Sequence, residues 1–90
     1  MAKAPSLRAL VDGFLRELSA ARGASPHTLR AYAQDLEALL AFLETRAITA
    51  PEEVTARTLR AWLAELDERG LAKSSIQRRL SAARSFFKHL

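Results

Sequence analysis

The stretch KSSIQRRLSAARSFFKHL, residues 73–90, decides the fold and the surface predicted for this chain. It contains five Lys and Arg side chains and no Asp or Glu. When its residues are advanced by about 100° each, the apolar side chains fall in one stripe, formed by Ile76, Leu80, Ala83, Phe87 and Leu90. The opposite face is polar and carries Gln77, Arg78, Ser81, Arg84, Ser85, Lys88 and His89. The pattern predicts a helix that buries one side and presents positive charge and hydroxyl groups on the other.

Three further helices are predicted upstream of this stretch. Apolar residues at helical spacing predict the first from about residue 6 to residue 22. Ser25 is a good N-cap for the second helix, and Pro26 suits its first position because the missing N–H would be unpaired there in any case. Thr55 is predicted to cap the third helix, and Gly70 to end it.

The fourth helix is predicted to begin at a capping box formed by Ser74 and Gln77. Residues 46–51 are predicted to form a connection that leads into a short turn. Since no strand pattern or internal repeat is present, the sequence predicts a compact all-α domain of four helices that spans residues 1–90, without a second domain. The fourth helix has no stop signal at Leu90, so the native chain is expected to continue.

Charge is unevenly distributed along the chain. The net charge is +4 and the pI is about 10.3, but residues 1–30 balance to +3, residues 31–68 to −5 and residues 69–90 to +6. A fold that brings the two ends together would therefore present a basic surface of the kind that attracts nucleic acid. Arg79 is expected to differ from the other basic residues, because it is predicted at the rim of the buried stripe, where Asp35 of the second helix is its candidate partner.

Several kinds of chemistry are excluded or disfavoured by composition. The chain has no cysteine, so disulfides and thiolate metal sites are excluded. His27 and His89 are far apart in the sequence, and neither has neighbours suited to completing a metal site, so no metal or cofactor is expected. No secretory signal is visible in residues 1–6, and no run approaches the ~20 apolar residues of a membrane span. With no catalytic motif visible either, we expect a cytoplasmic protein that has no membrane partner and is not an enzyme by itself.

Two features favour nucleic-acid binding by the basic face over a purely solubilising role. No acidic residue occurs in residues 69–90, although a solvated helix normally uses acids for i,i+4 pairs. Ser81 and Ser85 lie among the basic residues, and such small side chains let a helix approach a phosphate backbone closely or enter a major groove. A helix-turn-helix regulator stays open, because residues 74–80 (SSIQRRL) are typical of the start of a recognition helix. A helical interaction module whose basic face docks an acidic protein is a second alternative that stays open.

Two blocks of the sequence resemble the N-terminal domain of tyrosine recombinases. Residues 25–36 (SPHTLRAYAQDL) resemble its S-x-x-T-x-x-x-Y-x-x-D-L signature. The final helix of that domain, in the Xer-type branch that resolves chromosome dimers, is similar to Gly70-Leu71, Ser75, Arg79-Leu80-Ser81-Ala82, Arg84 and Phe86-Phe87. Ala83 departs from the larger aliphatic residue usual in the family. Both blocks occur in the family's order and spacing, so the resemblance extends from about Leu7 to Leu90.

The resemblance implies a SAM-like core-binding domain that forms one half of a clamp around a recombination site. Its partners would be double-stranded DNA, its own C-terminal catalytic domain and other recombinase subunits of a synaptic complex that carries out DNA integration or recombination. In that family the second and fourth helices lie against the major groove, which would place DNA contacts on Thr28, Arg30, Gln34, Ser81, Arg84 and Lys88. The charge pattern adds Arg78. The family's catalytic residues belong to the other domain, so Tyr32 is not expected to be a nucleophile.

Overall fold

Four helices form the fold in a computed structural model that describes residues 5–90. They are α1 (Leu7–Ala20), α2 (Pro26–Thr45), α3 (Ala56–Glu68) and α4 (Lys73–His89), with one turn of 3-10 helix at Pro51–Glu53 between α2 and α3. Within this described part of the chain there is no strand, and none of its helices is both long and apolar enough to cross a membrane. The predicted all-α class and four-helix architecture are confirmed. Residues 1–4, which belong to the stretch examined for a secretory signal, lie outside the described residues.

The starts of the first three helices are set by hydroxyl side chains that accept backbone hydrogen bonds. The Ser6 Oγ accepts from the Ala9 N–H at 3.1 Å, and the Ser25 Oγ accepts from the Thr28 N–H at 3.2 Å. Thr55 Oγ1 likewise accepts from the backbone of the third helix. These bonds satisfy N–H groups that have no partner inside a helix. The predicted caps at Ser25 and Thr55 are therefore confirmed.

The junction between α3 and α4 differs from the prediction at one point. Gly70 has φ of 82°, and its N–H donates to the Asp67 carbonyl at 3.0 Å while the next N–H, of Leu71, donates to the Leu66 carbonyl at 3.2 Å. This is a Schellman ending, which glycine makes accessible at positive φ. The chain is then extended at Ala72, so α4 begins at Lys73 with no side-chain cap. The predicted capping box at Ser74 is wrong because that serine already lies inside the first turn.

The core lies between all four helices, and α4 packs mainly against α2 and α3. Its largest fully buried side chains are Phe14, Leu36, Leu39, Leu43, Trp62 and Phe86. Phe14 contacts the rings of Tyr32 and Phe86 edge-on, with both centroid distances at 5.8 Å, a favourable geometry for aromatic pairs. Tyr32 thus lies at the core margin, and Trp62 lies inside the core.

The buried side of α4 is rotated from the predicted stripe. Ala82, Ala83 and Phe86 are buried, whereas Ile76, Leu80 and Phe87 are only partly buried. Leu90, predicted to anchor the helix, is 50% exposed because it follows the last helical residue, beyond the contact between Phe86 and α1. Small residues at 82 and 83 let α4 lie close to its neighbours, so the bulky Phe86 reaches the centre of the core.

Candidate nucleic-acid interface

A groove between α2 and α4, here called the α2–α4 groove, brings together three residues predicted to face DNA. It has a volume of about 220 Å³ and is lined by Thr28, Ala31, Tyr32 and Asp35 from α2 and by Arg78, Ser81 and Ala82 from α4. Ala31 and Ala82 have short side chains, so a ligand can approach the hydroxyl and guanidinium groups of the groove. Three of the predicted DNA contacts, Thr28, Arg78 and Ser81, therefore lie in one groove, although Thr28 is more than forty residues from the other two in the sequence.

The floor of the α2–α4 groove contains a buried carboxylate. Asp35 is only 2% exposed, yet it receives three hydrogen bonds from Arg78. The Arg78 Nε donates to Oδ1 at 3.3 Å and to Oδ2 at 3.1 Å, and Nη2 donates to Oδ1 at 3.0 Å. Hydrogen bonding to this carboxylate, and then its negative charge, raise the pKa of Arg78 above its ordinary value. A buried carboxylate needs such partners, because an unpaired one would be strongly destabilising.

The predicted pairing of Arg79 with Asp35 is confirmed as an ion pair, but the hydrogen bonds to this carboxylate come from Arg78, which was predicted to face DNA. Arg79 lies beside Asp35, with its Nε 3.8 Å from Oδ1, and makes no hydrogen bond to it. The same rotation of α4 that moves Phe86 into the core turns Arg79 toward α3, where it lines a pocket with Trp62 and Glu65. Arg78, one residue earlier and about 100° away around the helix, therefore faces Asp35 instead.

Arg78 keeps part of its donor capacity although it is bound to Asp35. Its side chain is 55% exposed, and its Nη1 donates to no group among the described residues. A ligand in the α2–α4 groove can therefore receive a hydrogen bond from an arginine whose position is fixed by α2. This dual contact was not predicted, because the pattern placed Arg78 on the open polar face and assigned only Arg79 to the rim that faces α2.

The other predicted contacts lie outside the α2–α4 groove. Arg30 and Gln34 are exposed on α2, one turn apart, and point away from the side that carries Thr28. Arg84 and Lys88 are exposed on α4, also one turn apart, and in the described part of the chain no carboxylate lies within ion-pair distance of either. The structure thus brings Thr28, Arg78 and Ser81 into one groove and distributes the remaining four over the adjoining surfaces.

Lys88 lines a second groove, here called the α1–α4 groove, at the corner where α1 ends beside the last turns of α4. The groove has a volume of about 330 Å³, and its other lining residues are Arg22, Ser85 and His89. The His89 ring is packed on the buried Phe14 ring, with the two centroids 5.1 Å apart. Arg22 and His89 were not predicted as site residues. The only sequence signal for them was the basic balance of both chain ends, which does not say which residues meet.

The α1–α2 pair is braced outside both grooves by an ion pair that sequence reasoning missed. The Arg8 guanidinium donates to both oxygens of Glu37, with Nη1 to Oε2 at 3.0 Å and Nη2 to Oε1 at 2.9 Å. The hydrogen bonds from Arg8 lower the pKa of Glu37 and raise the pKa of Arg8. Both side chains are exposed, so this pair contributes to helix packing and has no visible role at the grooves.

Metal coordination has no support in the described residues, since no three His, Asp or Glu side chains there come together in a way that could hold an ion. His27 lies at the start of α2 and His89 at the end of α4. The chemistry available at both grooves is donation of hydrogen bonds from guanidinium, ammonium, imidazole and hydroxyl groups. Such groups suit an anion that offers several oxygen acceptors.

Comparison with known proteins gives matches over nearly the whole chain. Residues 11–90 match the family model described as phage integrase, N-terminal SAM-like domain. Tyrosine recombinase XerD of Rhizobium meliloti (strain 1021) is 44% identical over 82 residues, which are 91% of this chain and 26% of that protein. Tyrosine recombinase XerC of Bifidobacterium longum (strain DJO10A) is 42% identical over 77 residues, which are 86% of this chain and 21% of that protein.

A third relative extends the same pattern. Tyrosine recombinase XerC of Roseiflexus castenholzii (strain DSM 13941 / HLO8) is 41% identical over 80 residues, which are 89% of this chain and 26% of that protein. The chain thus spans about a quarter of the length of the curated relatives it matches. No solved structure gives a significant match.

Proposed function

This chain belongs to the phage integrase N-terminal SAM-like domain family, and we propose that it binds duplex DNA as the non-catalytic half of a recombinase clamp. Membership confirms the resemblance found in the two sequence blocks, and it supports a role for the chain in site-specific recombination. Because the matched part is an N-terminal domain, catalysis is assigned to a separate C-terminal domain of the same recombinase. The proposal includes a recombination site as the DNA partner, other recombinase subunits in a synaptic complex, and a cytoplasmic location.

The observation that carries the proposal is the α2–α4 groove with the basic face of α4 beside it. The groove presents donors from two helices that the family resemblance assigns to the major groove of DNA. Arg84 and Lys88 continue the positive surface along α4, and no acid on that helix offsets them. A surface with these donors and this charge is complementary to a phosphate backbone, which supplies most of the affinity in such complexes.

Arg78 and Arg84 both keep donors for DNA, but they differ in how the guanidinium is held. Asp35 receives the Nε N–H and one Nη2 N–H of Arg78, so two N–H groups on Nη1 and one on Nη2 remain available to DNA. A bidentate contact with guanine needs two donors of one guanidinium fork. Arg84 has no such partner among the described residues and can offer its whole fork. We therefore propose that each of these two arginines contacts either a phosphate or a guanine.

The function is tested by titrating a short duplex with the full chain at several salt concentrations. We expect log K to fall linearly with log salt, with a slope of about −0.9 for each neutralised phosphate. The matched control is Arg46→Gln, which removes one positive charge at the far end of α2. A helix of 20 residues is about 30 Å long, so Arg46 is remote from the α2–α4 groove. Equal loss of affinity in this control and in groove variants would contradict a localised DNA interface.

The same titration, followed by amide signals, separates the alternative classes. Shifts confined to α2, α4 and their grooves on addition of duplex support the proposal. No shift of the Arg30 or Arg84 amide at low salt would favour a module that docks an acidic protein. A helix-turn-helix regulator would place its base contacts at the start of the recognition helix, in residues 74–80, and leave the α2 signals unchanged.

A further inference from the structure

The α1–α4 groove is lined only by groups that can donate hydrogen bonds. Arg22, Ser85, Lys88 and His89 form its walls, and no carboxylate contributes. Across the described residues, Arg22 and Lys88 lie within ion-pair distance of no Asp or Glu. Two cations that share one small groove without an acid repel each other, so the groove is energetically suited to receive an anion.

Compensation of helix dipoles is the plain alternative explanation for these basic groups. Arg22 follows the C-terminal end of α1, and Lys88 and His89 lie in the last turn of α4, where cations are stabilising. Basic side chains that cap a helix end commonly donate hydrogen bonds to its last carbonyl groups. None of the three does so in the described part of the chain. The dipole can favour each cation at its own helix end without such a bond, but it does not require groups from the end of α4 and from the segment after α1 to line one groove.

The position of the groove links it to the proposed DNA interface. Ser85 and Lys88 follow Arg78 and Ser81 along the same side of α4, and a rise of about 1.5 Å per residue separates Ser81 from Lys88 by roughly 10 Å. The His89 ring packs on the buried Phe14 ring, and this contact favours a position of the imidazole at the corner. A nucleic-acid strand that crosses the α2–α4 groove along α4 would reach this corner next.

We infer that the α1–α4 groove binds a backbone phosphate of the duplex and that Arg22, in the segment after α1, is a DNA-contacting residue. This inference rests on the proposed function, since it adds a phosphate subsite to the same interface. Arg22 and Lys88 supply the charge, and Ser85 and His89 supply hydrogen bonds to the phosphate oxygens. The interface thereby involves two helices, α2 and α4, and the segment that follows α1.

The test measures the salt dependence of duplex binding for the full chain and for Arg22→Gln, with Arg46→Gln as the matched loss of one charge. Loss of a single phosphate contact reduces the slope by about 0.9 and weakens binding roughly eightfold at ~0.1 M salt. We expect this for Arg22→Gln and a smaller change for the control. Arg22→Lys, which keeps the charge, is expected to restore the slope. Thermal unfolding of each variant verifies that the exposed position 22 does not alter the fold.

A second arm localises the contact on the DNA. Duplexes in which one phosphate at a time is replaced by a neutral methylphosphonate are titrated with the full chain and with Arg22→Gln. At the phosphate bound in the groove, the replacement is expected to weaken the full chain and to leave the variant unchanged. If the full chain and Arg22→Gln have equal slopes and equal sensitivity at every phosphate, the inference is overturned. The proposed function then still stands, provided that Arg84→Ala weakens binding. Absence of duplex binding by the full chain would overturn both.

Discussion

Asp35 is the buried charged residue of the described chain, and it determines how α4 presents its arginines. Its three hydrogen bonds from Arg78 join the middle of α2 to the first half of α4. The carboxylate also lies 3.8 Å from Arg79, so one negative charge serves two cations. An uncharged amide at this position would leave the buried edge of both guanidinium groups without its counterion. The residue is therefore part of the support of the α2–α4 groove as well as of the core.

Replacing Asp35 with Asn is expected to lower the free energy of unfolding. Arg78 is half exposed and stays hydrated, so the loss should be about 1–3 kcal/mol, the range for a broken hydrogen bond to a charged group, and not the larger cost of an isolated buried charge. Urea unfolding monitored by circular dichroism measures it. The control is Asp67→Asn, an exposed acid on α3, which should change stability by less than ~0.5 kcal/mol. Equal stability of the two variants would contradict a structural role for Asp35.

Arg84→Ala is expected to weaken duplex binding with little effect on stability, because the side chain is exposed. A lost phosphate contact should flatten the log K against log salt plot by about one unit. A lost guanine contact should instead leave the slope unchanged and reduce discrimination between duplexes by about 1–3 kcal/mol. Anisotropy titrations with a set of duplex sequences distinguish the two. Unchanged affinity for every duplex would remove Arg84 from the interface.

At the scale of single elements, α4 is held by its second half. Phe86 reaches the core and contacts Phe14, whereas Leu90 is largely solvated. Phe86→Ala should therefore cost about 3–5 kcal/mol, enough to unfold much of a domain of this size. Leu90→Ala should cost less than ~0.5 kcal/mol because little apolar surface is lost. Thermal unfolding of the two variants tests the orientation of α4, and comparable losses would show that Leu90 anchors the helix after all.

The helix starts give a second test at this scale. Ser25 caps α2 through its hydroxyl, so Ser25→Ala should cost about 1 kcal/mol. Ser74 lies within the first turn of α4 and caps nothing, so Ser74→Ala should be neutral or slightly stabilising because alanine favours the helix. The two substitutions remove the same hydroxyl group, which makes each a control for the other. A clear loss of stability in the Ser74 variant would support the capping box that the structure does not contain.

The elements also show which features the sequence could predict. The caps at Ser25 and Thr55 and the ending at Gly70 depend on residues within one or two turns, and the sequence predicts them correctly. The orientation of α4 depends on where Phe14 of α1 lies, about seventy residues away in the chain. An error in this one rotation accounts for Phe87 being assigned to the core in place of Phe86 and for the missed hydrogen bonds from Arg78 to Asp35.

The candidate site could likewise be predicted from the sequence only in part. The family resemblance identified six of the predicted contacts, Thr28, Arg30, Gln34, Ser81, Arg84 and Lys88, and the charge pattern of the acid-free fourth helix added Arg78. Which of these residues share the α2–α4 groove and which lie on adjoining surfaces depends on how α2 packs against α4, and the sequence pattern does not show that packing. The α1–α4 groove requires knowledge of where α1 ends beside α4, and no local pattern contains that information.

At the scale of the whole molecule, the structure measures 37 × 36 × 17 Å, so its helices form a thin layer with two broad faces. The basic segments at the two ends of the sequence meet at the α1–α4 groove, as the charge pattern requires of a nucleic-acid interface. The acidic middle of the chain supplies Asp35 and Glu37 as internal partners for Arg78 and Arg8. Net charge is therefore less informative than which charges are paired.

Global stability should depend on pH through the Arg8–Glu37 pair. The folded state lowers the pKa of Glu37 relative to the unfolded chain, so the pair stabilises the fold above the unfolded value of about 4.3. This stabilisation is lost as the pH falls through the lower, folded pKa. Glu37→Gln should thus be less stable than the parent chain near neutral pH and equal to it in strong acid. Thermal unfolding from neutral to acidic pH tests this, and high salt should reduce the difference because the pair is exposed.

The bond between Asp35 and Arg78 has a further consequence for the thermodynamics of association. A mobile arginine or lysine loses rotamer freedom when it is ordered at an interface, at a cost of about 0.5–1.5 kcal/mol. Arg78 has already lost this freedom in the unliganded protein, because Asp35 holds its guanidinium by two of its nitrogens. The entropy is lost during folding, so association at the α2–α4 groove is opposed by less conformational ordering than association at exposed Arg84 or Lys88.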